Sequence, residues 1–459
     1  VPRRLPLLGH ALDFGRDPDG FMALWRQRLG DSFRVAMPGG ERIFLCNPFD
    51  APRVFAEPRL RFHEASAEIG AKVFGYDAAR AARHDTQVLS NALSRDMRGA
   101  ELQAMSERMQ VFFVRRIVDD LRAGPKRISL MQMLTRHFFA AGLDAFFGES
   151  MYTPELYRAY ERVDRSFALV VAGVPARLIP GFARASDALA VRAGLRLPHR
   201  AMALDHRGAL FAELGIPATE SKHYDASIIW ASQANTVAAA FWTVRFILGA
   251  PEARAAITEE VRALAEPAAS PLEARPFPKN ALGRMRLLDS ATQEAMRLTA
   301  GPILTRRASE DFRLALDNGR TLPLKKGEEI FIYPRLHQID REIFEHPHCF
   351  QYDRFLDDGR PARFFRDGRR ITMPTLPFGG GVSMCPGRHF AQNEIKILVA
   401  TLLLWLDAEL CSFAIPGLDF SRIGLGILPP KQDVELLVRL RRSSRVDDVP
   451  ERRAPRGSS

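Results

Sequence analysis

Apolar residues recur at helical spacing through most of this chain and alternate only in short stretches towards each end. From about residue 80 to 264 the pattern is almost wholly helical. Helices are expected over 101–121, 128–147 and 154–171, with a long apolar segment at 223–248. Pro-rich stretches at 175–180 and 267–278 interrupt that run. Nearer the start, Asp17-Pro18 predicts a capped helix running towards Leu29, because proline suits the first turn. Residues 32–37 and 41–46 flank Pro38-Gly39-Gly40 and predict a β-hairpin, after which helix returns from Pro48. A second hairpin is expected where 312–316 and 321–324 flank Asp317-Asn318-Gly319, followed by a strand at 329–333. One more apolar helix starts near Phe390 and reaches Leu404. Residues 5–10 read as an extended lead-in, and the charged, aperiodic 441–459 as a disordered tail. The expected architecture is a single mainly α domain over 1–440. Its smaller β region is contributed at about 30–47 and 310–335.

Composition narrows the function classes. With 459 residues, 46% apolar and 26% charged, the chain is globular and large enough for an extensive core. Its four cysteines (Cys46, Cys349, Cys385 and Cys411) lie far apart and form no Cys-x-x-Cys pair. That argues against structural zinc and a disulfide scaffold, and for a reducing compartment. The net charge of +11 comes mostly from arginines spread along the chain without an aromatic-interleaved patch, so nucleic acid is not the expected partner. An acidic protein partner or contact with an anionic membrane surface explains the excess equally well. No apolar run reaches the length of a membrane span, and no signal peptide is visible.

The chemistry centres on Pro377-Phe378-Gly379-Gly380-Gly381-Val382-Ser383-Met384-Cys385-Pro386-Gly387-Arg388. One cysteine sits in a glycine-rich turn just ahead of a helix. There, free N–H groups and the positive end of the helix dipole favour a thiolate. Glycines let the backbone approach a flat ligand closely. A thiolate held in this way suits the axial position of haem iron. Phe378, Gly381, Cys385 and Gly387 stand in the order Phe-x-x-Gly-x-x-x-Cys-x-Gly, which resembles the haem-binding signature of the cytochrome P-450 superfamily.

Other segments extend the resemblance. Glu294 and Arg297 lie one helical turn apart, and Pro347-x-x-Phe350-x-x-x-Arg354 supplies a second arginine. The three resemble the superfamily's Glu-Arg-Arg triad, which implies a structural lock on the cysteine loop. Trp230-Ala231-Ser232-Gln233-Ala234-Asn235-Thr236 places polar residues inside the long apolar helix. In the superfamily this helix crosses the haem and carries an acid–alcohol pair beside bound oxygen. Here Thr236 matches the alcohol, Asn235 replaces the acid and Gln233 replaces a glycine. These segments, with Gly424-Leu425-Gly426-Ile427-Leu428-Pro429-Pro430, look most like the group of cholesterol 7α-hydroxylases, sterol 12α-hydroxylases and prostacyclin synthases. The similarity runs from Leu5 to Leu440.

That resemblance implies haem b (iron protoporphyrin IX) between the long helix and the cysteine helix, with Cys385 on the iron. It implies that Arg306 forks onto a haem propionate. Ser383 departs from the basic residue common at its position, so other cations must compensate. Trp230, Ile303, Leu304 and Ile427 are matched to the substrate pocket. The implied activity is a monooxygenase acting on a lipophilic, sterol-like substrate with O2. Electrons would come from a ferredoxin or flavoprotein reductase, since no flavin or nicotinamide fingerprint is present. Thr236 with Asn235 would relay protons, a step that an isomerase of a lipid endoperoxide or hydroperoxide does not need. That isomerase or dehydratase is the alternative, and a non-enzymatic haem or lipid carrier the minor one. The arginines at 360, 363, 366, 369 and 370, with Lys396, are candidates to dock an acidic redox partner. Arginine and alanine bias suggests a GC-rich bacterial source and a soluble, cytoplasmic enzyme. The alternative is the endoplasmic reticulum membrane with an N-terminal anchor removed, because Val1 is not a natural start.

Overall fold

The computed structural model describes residues 9–441 apart from 39, 84–85 and 279, so most of the lead-in and the tail beyond 441 lie outside the described residues. Pro18–Leu29 (α1) starts as expected, with the Asp17 carboxylate accepting the Gly20 N–H at 3.0 Å. Ser32–Met37 (β1) and Gly40–Leu45 (β2) form the first hairpin, with Ser32 opposite Leu45. Asp50–Ala56 (α2) and Leu60–Arg61 (β3) follow, and then the long helix Gly99–Leu121 (α3).

Two helical expectations are corrected. The helix expected from 128 starts at Leu130, because Lys126–Ser129 (β4) is drawn into a sheet where Ile128 pairs with Leu436. Past a π-helical stretch it continues as Ala140–Phe147 (α4), every residue of which is buried. Pro154–Val171 (α5) matches its expected bounds, with Thr153 as cap. The long segment at 223–248 is two helices, Ala218–Gln233 (α6) and Thr236–Gly249 (α7), interrupted at Ala234–Asn235. The break coincides with a tertiary hydrogen bond to the Asn235 side chain.

Arg286–Thr299 (α8) leads into Leu304–Ala308 (β5), the hairpin Phe312–Ala315 (β6) and Thr321–Leu324 (β7), and Glu329–Ile332 (β8). Gly319 supplies the positive φ (+78°) in the β6–β7 turn. Arg388–Trp405 (α9), Leu406–Leu410 (β9) and Glu435–Leu440 (β10) complete the described chain. One sheet has the order β1-β2-β8-β5-β3, and a second has β9-β10-β4. Both ends of the chain thus build the β region, and β3, β4, β5, β9 and β10 add to the strands expected.

α7 is buried from Thr236 to Leu248 and packs on α8 and α9. A helix apolar all round belongs in a core. Trp242 anchors it by donating its indole N–H to the Leu428 carbonyl at 2.7 Å. Among the described residues, no helix is long and apolar enough to cross a membrane.

Candidate active site

The glycine-rich turn ahead of α9 is braced by Phe55 of α2. A Cβ on Gly380 would fall 2.4 Å from the Phe55 ring, and one on Gly381 would fall 2.9 Å from the Phe55 Cβ. Gly381 also takes φ +66°. Close approach and left-handed backbone therefore both require glycine. The Cys385 N–H donates to the Phe378 carbonyl at 3.0 Å, which fixes the turn's exit. Gly387 is the N-cap of α9, and the backbone N–H groups of Gly387 and Arg388 favour the Cys385 thiolate. Burial is the strongest influence on the thiol and pushes its pKa up, against those N–H groups and the Arg388 guanidinium. A metal cation reverses the balance, because a coordinated thiol is deprotonated outright.

Arg306 stands beside this turn in β5, buried, with one terminal nitrogen donating to the Gly380 carbonyl at 2.9 Å. Its guanidinium lies over the rings of Phe55 (4.8 Å) and Phe62 (5.6 Å). Burial alone lowers its pKa to about 10, and among the described residues no carboxylate pairs with it. A buried cation without a counter-charge is costly unless a ligand supplies the anion.

The three predicted lock residues do come together. Glu294 holds Arg297 through two bonds, of 2.7 and 2.8 Å, and Arg354 through one of 2.9 Å. Glu294 and Arg297 are fully buried. Their spare donors reach the meander ahead of the cysteine turn. Arg297 donates to the carbonyls of Gln338 and Pro347, and Arg354 to those of Glu345 and Cys349. Gln338, which the sequence reading missed, passes the connection on. Its side-chain oxygen accepts the Leu376 N–H at 3.2 Å, immediately before Pro377.

On α6 and α7, the Thr236 hydroxyl donates to the Ser232 carbonyl at 2.8 Å. Asn235 turns the other way. Its Oδ1 accepts the Ile427 N–H at 2.9 Å, and a Cβ on Gly426 would lie only 2.3 Å from that oxygen. This bond ties the helix interruption to another part of the chain. The same turn meets the segment after α8: the Gly301 N–H donates to Gly426 O (2.7 Å) and the Ile303 N–H to Gly424 O (3.3 Å). Ile303 therefore lies against Gly424, in the turn that leads to Ile427, and Leu304 reaches the Gly379 backbone. Trp230 stacks on Phe167 of α5 with centroids 3.8 Å apart and donates to Asp164 at 2.8 Å. Arg422 pairs with the same carboxylate.

The basic run is partly neutralised. Arg369 makes two 2.8 Å bonds to Asp317, and Arg366 pairs with Glu342. Lys396 is no docking residue. It is 6% exposed and held by Asp289 at 2.8 Å and the Leu282 carbonyl.

A cysteine cradled by glycines at a helix start, beside an uncompensated guanidinium, suits a haem-thiolate enzyme. The chain belongs to the cytochrome P-450 family, whose model matches residues 218–436. It is 30% identical to cholesterol 7-alpha-monooxygenase of Cricetulus griseus, over 95% of this chain and 92% of that protein. It is 29% identical to prostacyclin synthase of Homo sapiens, over 95% and 93% respectively. The 7-alpha-hydroxycholest-4-en-3-one 12-alpha-hydroxylase of Homo sapiens is 28% identical, over 95% and 91%. The protein is thus a P-450 enzyme with haem b as its cofactor. The residues present fit that group: Arg306 lacks an anion that a propionate carries, and the thiol stands at a helix start, where the Gly387 and Arg388 N–H groups and the Arg388 guanidinium favour its thiolate.

Proposed function

We propose that this enzyme is a monooxygenase that inserts one atom of O2 into a lipophilic, sterol-like substrate. Cys385 would hold the haem iron through its thiolate and Arg306 would answer a propionate, with Phe378, Gly381 and Gly387 shaping the turn. Haem b, when bound, supplies the oxygen activation, and the thiolate's electron donation favours O–O cleavage. The chain's own residues do the rest. Thr236, buried at the interrupted turn, presents a hydroxyl that holds or passes a proton. Glu294, Arg297 and Arg354 keep the cysteine turn in register. Trp230, Ile303, Leu304 and Ile427 form an apolar wall for the substrate.

The observation carrying this reading is the retained, buried Thr236 hydroxyl in a family whose named relatives include two sterol hydroxylases. Asn235 supports it differently from the sequence expectation. With its oxygen committed to Ile427, it shapes the turn and leaves proton handling to Thr236. Electrons come from a ferredoxin or flavoprotein reductase, docked on the basic side around Arg360, Arg363 and Arg370. A cytoplasmic, soluble enzyme is the cellular setting we favour.

The relationship to prostacyclin synthase supports a second reading, rearrangement of a lipid endoperoxide or hydroperoxide. Visible titration of the ferric protein with sterols and with lipid peroxides separates the two. A high-spin shift with a sterol, followed by NAD(P)H-dependent product that Thr236→Ala abolishes at intact haem content, supports the monooxygenase. Peroxide turnover without reductant overturns it.

A further inference from the structure

Three buried polar atoms stand without a partner where α4, α6 and α9 meet: both amide atoms of Gln233, and Oε1 of Glu394. Each residue is 1% exposed. Gly142 of α4 marks the spot, since a Cβ there would lie 2.3 Å from Glu394 Oε1 and 3.1 Å from Gln233 Nε2. Both side chains therefore reach the same small space. Orphaned groups in a core are costly, so an arrangement that pairs them is strongly favoured.

The chemistry of the orphans selects the partner. Gln233 needs an acceptor for its N–H and a donor for its oxygen. A carboxylate only accepts, whereas a carboxylic acid does both. Burial raises the Glu394 pKa well above the ordinary carboxylate range, and no charged side chain of α4, α6 or α9 contributes. We propose that Glu394 and Gln233 form a reciprocal acid–amide hydrogen-bonded pair, a positioning element that holds the interrupted distal helix against the cysteine helix. The Gln233 N–H donates to the Glu394 carbonyl oxygen, and the Glu394 O–H donates to Gln233 Oε1.

The location gives the pair its consequence. Gln233 is the last residue of α6, directly ahead of the turn that presents Thr236. Glu394 belongs to α9, the helix that backs Cys385. The turn's other polar side chains are already engaged, Asn235 by Ile427, Thr236 by Ser232 and Ser232 by Ile229. Gln233 is left to anchor the turn from behind, and Gly142 leaves room for it. The effect on oxygen chemistry rests on the monooxygenase reading, whereas the pair itself does not.

The test compares the holoenzyme with Gln233→Leu, Glu394→Leu, the double variant and Glu394→Gln. Each leucine variant lowers the folding equilibrium constant by about tenfold or more, because it strands the other side chain. The double variant recovers most of that loss, and Glu394→Gln rescues because an amide also donates and accepts. Infrared spectra show a protonated-acid C=O band that persists from about pH 5 to about pH 8, shifts in Gln233→Leu and vanishes in Glu394→Gln. The C–O stretch of the ferrous carbonyl complex shifts in each leucine variant while its thiolate-type absorption stays. Additive leucine effects, or an acid band lost through neutral pH, overturn the pair. An unmoved C–O stretch overturns the positioning role. Turnover without reductant defeats the monooxygenase reading and leaves the infrared and folding outcomes to stand or fall separately.

Discussion

Asn235 Oδ1 accepts the backbone N–H of Ile427 at 2.9 Å and thereby pins the break between two helices to a distant turn. The residue that replaces an acid in the helix motif acts here as a crosslink. Its amide lies so close to Gly426 that no larger residue fits there.

Asn235→Ala therefore strands the Ile427 N–H beside the distal turn. We expect a loss of about 1–3 kcal/mol, the usual cost of an unpaired buried donor. Urea unfolding of the holoenzyme measures it. The same variant should weaken the sterol-induced spin shift, because the Gly424–Ile427 turn carries Ile427 of the proposed apolar wall. An unchanged midpoint would show that this bond carries no load.

Glu294 answers two buried arginines at once. Removing its charge in Glu294→Gln leaves Arg297 and Arg354 without their counter-ion, at a cost of about 3–5 kcal/mol. The damage should appear first as haem loss, since the arginines' other donors hold the meander and, through Gln338, the residue before Pro377. Haem-to-protein ratio against urea concentration reports this. Arg297→Lys should fail similarly, because lysine lacks the fork that serves Glu294 and two carbonyls together.

The contrast between these two sites shows what the sequence makes legible. Cys385, its glycines and the helix behind it lie in one contiguous stretch, and Glu294 and Arg297 share a helical face, so local spacing suffices. The polar residues at 232–236 mark the place, but not a helix break, because apolar spacing continues on both sides and the partner of Asn235, Ile427, is remote in the chain. Phe55 under the cysteine turn, the Gln338 bridge and the approach of Gln233 and Glu394 to Gly142 join remote segments, which no periodicity encodes. Residues 128–129 read as helix, not strand, because the ladder partner of this strand among the described residues, Glu435–Leu440, lies near the other end of the described chain.

Arg306 separates stability from cofactor binding. Its guanidinium is buried with no carboxylate, so Arg306→Met should leave the haem-free protein equally stable or up to about 1 kcal/mol more stable. The holoenzyme should lose haem to apomyoglobin about tenfold faster, as expected for one lost charge-assisted bond. A destabilised apoprotein with unchanged haem transfer would mean that Arg306 serves the fold alone.

His337 sets a pH limit. Burial is the largest cause of its depressed pKa, with Arg26 and Arg366 adding repulsion, and the folded value is about 3 against 6.5 for the free side chain. Between those values the unfolded chain binds a proton that the folded chain refuses, so stability rises with pH across this window. It is lost as pH falls from about 6.5 towards about 3. From pH 7 to pH 5 the contribution is about 2 kcal/mol, at roughly 1.4 kcal/mol per pH unit. His337→Met keeps the volume and removes the titration. Urea midpoints at the two pH values should therefore fall further for the unmodified protein than for the variant, by that amount. Parallel profiles would show that His337 accepts its proton inside the fold, where the repulsion from Arg26 and Arg366 would have to be relieved by movement of the segment carrying it.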